Sequence, residues 1–240
     1  MARYDETRFL EIEQRLSRAR ERIRAACVAA GRTEQVELIV VTKTHPRTDV
    51  DILYELGVRT VGENRDQEGR EKSVDAPRDL VWHMIGQVQS KKVNSIARWA
   101  DVVQTLDRLD LIEPFSKAAQ SHADDKKLGV MIQVSLDPHA PTGRGGVQPD
   151  QVPILADRIN LAAGLRLLGV MAVAPHPSTG IDPGAAFALL ADVSADLRSR
   201  FPEAIEISAG MSDDLEEAIA HGATQVRLGS AILGDRPIVE

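Results

Sequence analysis

Apolar positions in this chain change their spacing once. Over residues 6–30, Phe9, Leu10, Ile12, Leu16, Ile23, Ala26 and Cys27 fall on one helical stripe, and Gly31 follows as a stop. Beyond it, short continuous apolar runs alternate with amphipathic stretches, the pattern of βα units that build a parallel sheet. The runs predict strands at 36–42, 59–62, 80–85, 102–105, 129–134, 167–173, 204–208 and 225–228. Between them the pattern predicts helices at 49–56, 65–74, 90–99, 109–122, 149–162, 183–200 and 213–221. Eight such units predict a closed (β/α)8 TIM-type barrel with an extra N-terminal helix, a single domain over 1–240. The last unit keeps only a short helix at 230–234, so the N-terminal helix is expected to cover the wall this leaves open.

Composition narrows the class without naming it. A chain of 240 residues, 43% hydrophobic and 27% charged, fills one core of this kind. A formal net charge of −7 opposes a general nucleic-acid or anionic-membrane role, and the pair Lys91-Lys92 is too short a basic run to change that. Cys27 is the sole cysteine, which excludes a disulfide framework and fits a reducing cytoplasm. Neither a signal-peptide core nor a membrane-length apolar run is present, so a cytoplasmic protein is expected. The six histidines show no metal-ligand spacing, and no residue sits in a nucleophile elbow.

Two strand exits carry the candidate chemistry. The run 36–42 delivers Lys43, and a lysine leaving an apolar strand can act as an amine nucleophile when desolvation and neighbouring cations lower its pKa. Its bland alternative is a strand-end lysine reaching into solvent. The run ending at Leu228 leads into Gly229-Ser230 and a short helix, where free N–H groups and the helix dipole favour phosphate. In a barrel these two strands are neighbours, Ser208 ends strand seven beside them, and the loops after strands seven and eight are the recurrent phosphate site of the fold. An aldehyde for the lysine and a phosphate for the Gly-Ser turn together point to pyridoxal 5'-phosphate.

Arg227 lies within strand eight, where its charge needs a partner. That partner is either a strand carboxylate or the ring nitrogen of a pyridoxal cofactor, which some enzymes of this kind face with an arginine. An arginine does not readily give up its proton, so the ring nitrogen would stay mostly unprotonated and act as a weak electron sink. Asn64, in Gly62-Glu63-Asn64 at the exit of strand two, reads either as a turn and helix cap or as a cofactor contact. His83 reads as a buried, hydrogen-bonded strand histidine, Ser212 or Asp213 as the cap of the following helix, and the loop 143–146 as a weak phosphate signal. The Gly- and Pro-rich loops 137–146 and 174–180 are expected on the same rim.

Taken together, Val41-Thr42-Lys43-Thr44, Gly62-Glu63-Asn64, Trp82-His83-Met84-Ile85-Gly86 with Gln89, Ser208 through Asp214, and Val226 through Gly234 resemble the pyridoxal phosphate homeostasis proteins, which share the barrel of the N-terminal domain of alanine racemase. The resemblance covers essentially the whole chain. It implies that Lys43 is the Schiff-base lysine, that Ser208, Gly229 and Ser230 contact the phosphate, that Arg227 faces the pyridine nitrogen and that Asn64 lies beside the cofactor. Ala209, Lys91 and Arg144-Gly145-Gly146 depart from the family's usual residues there, Met, Asn and a Lys-Ser-Gly loop.

The expected function is accordingly a cytoplasmic carrier or buffer of pyridoxal 5'-phosphate, a monomer that meets apo forms of pyridoxal enzymes transiently and carries out no turnover. Beyond the Gly-Ser turn after strand eight only Ala231 to Glu240 remain, so the second domain that makes a racemase of such a barrel is not expected. The alternatives are an amino-acid racemase, with Lys43 itself and a rim residue such as His83 or Tyr54 as proton donor and acceptor, a Schiff-base aldolase relying on Glu63, or an interaction module that holds the cofactor as a regulatory ligand.

Overall fold

In the computed structural model, residues 4–121, 126–137 and 145–235 are described. Eight parallel strands close in sequence order into a barrel: β1 (Glu37–Val41), β2 (Thr60–Glu63), β3 (Val81–Met84), β4 (Val102–Leu106), β5 (Leu128–Gln133), β6 (Leu165–Met171), β7 (Glu206–Ser208) and β8 (Gln225–Leu228). The seam pairs Glu37 with Gln225, Leu38 with Val226, Ile39 with Arg227 and Val40 with Leu228. That register puts the exits of β1 and β8 side by side on the C-terminal rim.

Strand alternation divides the side chains between two environments. Val226 and Leu228 point outward into the main core against the helices, whereas Gln225 and Arg227 face the barrel interior. Val102, Met131 and Met171, with Leu168 against them, form a separate apolar cluster on the β4–β6 side of that interior. On the remaining side the buried polar groups His83, Gln104, Ser208, Gln225 and Arg227 share the interior with Ile39.

Helix α1 (Glu6–Ala29) is capped by the Asp5 carboxylate, which accepts from Thr7 N at 2.9 Å. Its buried stripe, Ile12, Leu16, Ala19, Ile23, Ala26 and Cys27, packs on α8 (Leu215–Ala220) and on the single turn α9 (Ser230–Leu233). A four-residue helix cannot cover its share of the barrel, and α1 supplies the missing apolar surface. Each fully buried side chain there, such as Ile12 or Leu16, contributes roughly 1.5–3 kcal/mol. Gly31 takes φ +65, the left-handed conformation that ends the helix.

The other helices are α2 (Arg47–Glu55), α3 (Asp66–Ser73), α4 (Val93–Ile96), α5 (Ile112–Gln120), α6 (Val152–Asn160) and α7 (Pro183–Arg200). Three depart from the sequence reading in one way: the predicted helices at 90–99, 109–122 and 149–162 begin with a 3₁₀ turn at Ser90–Lys92, Leu109–Leu111 and Pro149–Gln151. In the last two the α-helix starts where a proline, Pro114 or Pro153, falls in its first turn and needs no N–H partner. His122 and the loop residues 138–144, including Arg144, lie outside the described residues. Strand β7 is shorter than predicted because Ala204 N bonds back to Phe201 O in a turn. Strand β6 starts two residues early, where Leu165 pairs with Leu128. Among the described residues no helix is long and apolar enough to cross a membrane.

Candidate cofactor site

Lys43 sits in a turn fixed on both sides. Before it, Thr42 N continues the sheet to Gly62 O at 3.0 Å, and the Thr42 hydroxyl donates to Glu63 Oε1 at 2.5 Å. Lys72 Nζ, on α3, donates to Thr42 O and to Glu63 Oε1, each at 2.8 Å. After it, Thr44 adopts φ +66, an uncommon conformation for a β-branched residue, and its N–H donates to Glu68 Oε2 at 2.6 Å. Lys72 also reaches Glu68 Oε2 at 3.4 Å, so one buried cation joins both anchors. Burial raises the pKa of the Glu63 carboxyl, while Lys72 and Thr42 pull it back down.

The β8 exit supplies the facing wall. A Cβ on Gly229 would lie 3.2 Å from Val41 O, so a small residue there lets the exits of β1 and β8 close together. From β7, Gly210 turns the chain at φ +93, and the Asp214 carboxylate accepts from Met211 N at 2.6 Å. That contact holds the loop carrying Met211 and Ser212. Asn64 is set by another close approach, since a Cβ on Gly86 would fall 2.0 Å from Asn64 O.

These exits enclose a cleft of about 650 Å³ whose lining includes Lys43, Asn64, Arg227, Gly229 and Ser230. Of the six candidate residues, five therefore meet in one place. Ser208 is the exception: it is fully buried below the cleft, not in its lining. Its hydroxyl accepts from Arg227 Nη1 at 2.7 Å and donates to Gln104 Oε1 at 2.8 Å.

Arg227 is buried within β8. Its hydrogen-bond partners are the Ser208 hydroxyl and Ala172 O, both neutral, and no carboxylate pairs with it among the described residues. Burial lowers its pKa to about 10, opposed by the charge of Asp214, so it remains a cation at neutral pH. A buried cation with neutral partners, lining a cleft, suits a ligand that presents an anionic group or a hydrogen-bond acceptor. Pyridoxal phosphate, with its phosphate and pyridine nitrogen, offers acceptors of that kind.

Other side chains are in places the sequence did not indicate. Ser212, read as a helix cap, lines the cleft, and α8 instead starts after Asp214. Asn64 is not a cap either, since α3 is entered through Arg65 without a side-chain cap. Ile85 and Met211, which lay in the motifs without a role of their own, also line the cleft, as do His45 and Val173, which no motif had marked. Burial lowers the pKa of His45, whose Nδ1 lies 3.5 Å from Asp49 Oδ2. His83 and Tyr54 do not line the cleft: His83 Nδ1 lies 2.8 Å from Gln104 Nε2 inside the barrel, and Tyr54 donates to Asp79 at 2.8 Å on the surface. Glu63 is committed to Lys72 and Thr42.

Fold and site define an alanine racemase type of barrel. The family model described as the N-terminal domain of alanine racemase matches residues 14–237. The chain is 45% identical over 208 residues to the pyridoxal phosphate homeostasis protein of Corynebacterium glutamicum, covering 85% of this chain and 91% of that one. It is 39% identical over 245 residues to the protein of the same name from Mycobacterium tuberculosis H37Rv, covering 94% and 93%. PipY of Synechococcus elongatus PCC7942, solved with PLP bound, superposes with a TM-score of 0.76 at 30% identity, covering 93% of this chain and all of that one. The chain belongs to the pyridoxal phosphate homeostasis protein family.

Proposed function

We propose that this protein binds pyridoxal 5'-phosphate in the rim cleft and serves in its homeostasis as an intracellular carrier or buffer, one domain acting as a monomer. The observation that carries the reading is the meeting of Lys43, Arg227 and the Gly229-Ser230 turn in one cleft. When bound, the cofactor supplies an aldehyde that a lysine amine captures reversibly as a Schiff base. Lys43 is the residue for that bond. The Gly229-Ser230 turn, joined by Ser212 from the β7 side, holds the phosphate, and the first-turn N–H groups of α9 point the same way. Arg227 donates to the ring nitrogen, Asn64 borders the ring, and Ile85 and Val173 give it apolar walls.

Ser208 has a different part from the one expected. Its hydroxyl is used by Arg227 and Gln104, so its role is to hold Arg227 and not the phosphate. Exchange of the Schiff base with a lysine of an apo-enzyme, or its hydrolysis, would release the cofactor to a cytoplasmic recipient. The racemase and aldolase readings gain no support from this arrangement, because His83, Tyr54 and Glu63 all have partners away from the cleft.

The division of labour is tested by equilibrium dialysis of Lys43→Ala against pyridoxal phosphate. Weaker binding that survives through the phosphate contacts is expected, and Ser230→Ala should weaken it further. Complete loss in Lys43→Ala alone would contradict the scheme.

A further inference from the structure

The polar side of the barrel interior is one hydrogen-bonded chain. Arg227 Nη1 donates to Ser208 Oγ at 2.7 Å, and Ser208 donates to Gln104 Oε1 at 2.8 Å. Gln104 Nε2 donates to Gln225 Oε1 at 3.2 Å, and Gln225 Nε2 donates to Glu37 Oε2 at 3.0 Å. Glu37 Oε1 accepts from Thr60 Oγ1 at 2.5 Å. The chain runs from the C-terminal rim to Glu37 at the opposite mouth, where Glu37 and Thr60 line a second cavity of about 550 Å³.

Its direction follows from its ends. A guanidinium only donates, and the Glu37 oxygens accept from Gln225 and Thr60. Ser208 must therefore accept from Arg227 and spend its single proton on Gln104. Gln104 is then fixed with its oxygen toward Ser208, and both its N–H bonds are used, one on Gln225 and one on His83 Nδ1 at 2.8 Å. The same logic makes His83 Nδ1 an acceptor and leaves the ring proton on Nε2. Every link is oriented the same way, from a buried cation to a carboxylate, and links so aligned polarise one another.

Resting on the cofactor reading above, we infer that Gln104 is a positioning residue for pyridoxal phosphate binding: through Ser208 it orients Arg227, and through Gln225 it connects that guanidinium to Glu37 as a distant counter-charge. The cleft and the far mouth are thereby coupled electrostatically, although Gln104, Gln225 and Glu37 do not line the cleft.

The test compares wild type, the isosteric Gln104→Glu and the exposed-end Glu37→Gln, by two readouts. In the cofactor-free proteins, long-range ¹H–¹⁵N NMR of His83 should show a bare Nδ1 and a protonated Nε2 in wild type, and a proton gained at Nδ1 in Gln104→Glu. In the loaded proteins, the pH at which the Schiff-base absorbance converts should move by about half a pH unit or more in Gln104→Glu, and less in Glu37→Gln. A protonated Nδ1 in wild type, or no change on substitution, overturns the inference. So does an NMR switch with both variants titrating like wild type, since the chain would then be structural only. If wild type takes up no pyridoxal phosphate, the cofactor reading fails by itself, and with it the link to binding, while the NMR result still decides the direction of the chain.

Discussion

Glu68 accepts the backbone N–H of Thr44 at 2.6 Å, one residue past Lys43, and so holds a β-branched residue at φ +66. A left-handed conformation costs an ordinary residue roughly 1–2 kcal/mol, and a charge-assisted hydrogen bond of this kind returns about that much. Glu68→Ala should lower stability by about 1–3 kcal/mol and reduce the yield of the Lys43 Schiff base. Thr44→Gly in the same background should restore both, because glycine adopts this φ freely. Denaturant unfolding with pyridoxal phosphate titration reads the result, and failure of the second substitution to restore would remove strain as the cause.

Lys72 and Glu63 form the buried pair behind the same turn, with side-chain exposures of 9% and 0%. Removing one partner leaves the other uncompensated, and Lys72→Met is expected to cost about 3–5 kcal/mol. The double variant Lys72→Met/Glu63→Gln should be closer to wild type than the single one. Additive losses in a double-mutant cycle would show that the two do not act as a pair.

His83 makes stability depend on pH in a definite sense. Burial lowers its pKa from 6.5 to about 4, with the charge of Asp101 opposing weakly. Between those values the unfolded chain binds a proton that the folded chain refuses, so stability is fully present above pH 6.5 and is lost as the pH falls toward 4. The total is about 3 kcal/mol, and His45, also lowered by burial, adds a loss of the same sign. His83→Gln should flatten the curve across that window relative to wild type. Parallel curves would contradict this origin.

Gly86 leaves room for Asn64. A methyl group there would meet the Asn64 carbonyl oxygen at 2.0 Å, and backbone on both sides has little freedom to move. Gly86→Ala should displace Asn64, weaken pyridoxal phosphate binding several-fold and cost about 1–3 kcal/mol in stability. Unchanged affinity would show that Asn64 is not needed at its present place.

Most of the fold was legible because parallel strands buried on both faces read as largely apolar runs, such as Leu38–Val41 and Val130–Ile132. The strand ends were legible for the same reason, and with them Lys43, Asn64, Arg227, Gly229 and Ser230. What the pattern could not convey was which way a strand-end side chain turns. Ser208 ends β7 as expected, yet its hydroxyl points into the barrel, while Ser212, four residues on, lines the cleft because Asp214 folds the loop back through Met211. Helix starts were blurred by 3₁₀ turns, which share the early periodicity of an α-helix. Gln104 was the overlooked signal, an uncharged polar residue between Val103 and Thr105 in a buried strand, where a hydrogen-bonding task is required.

The central claim is that Lys43 captures the aldehyde in this cleft. Borohydride reduction after incubation with pyridoxal phosphate, followed by peptide mass mapping, tests it most directly. The account predicts a single pyridoxyl adduct on Lys43. No adduct, or adducts scattered over surface lysines such as Lys91 and Lys117, would contradict it.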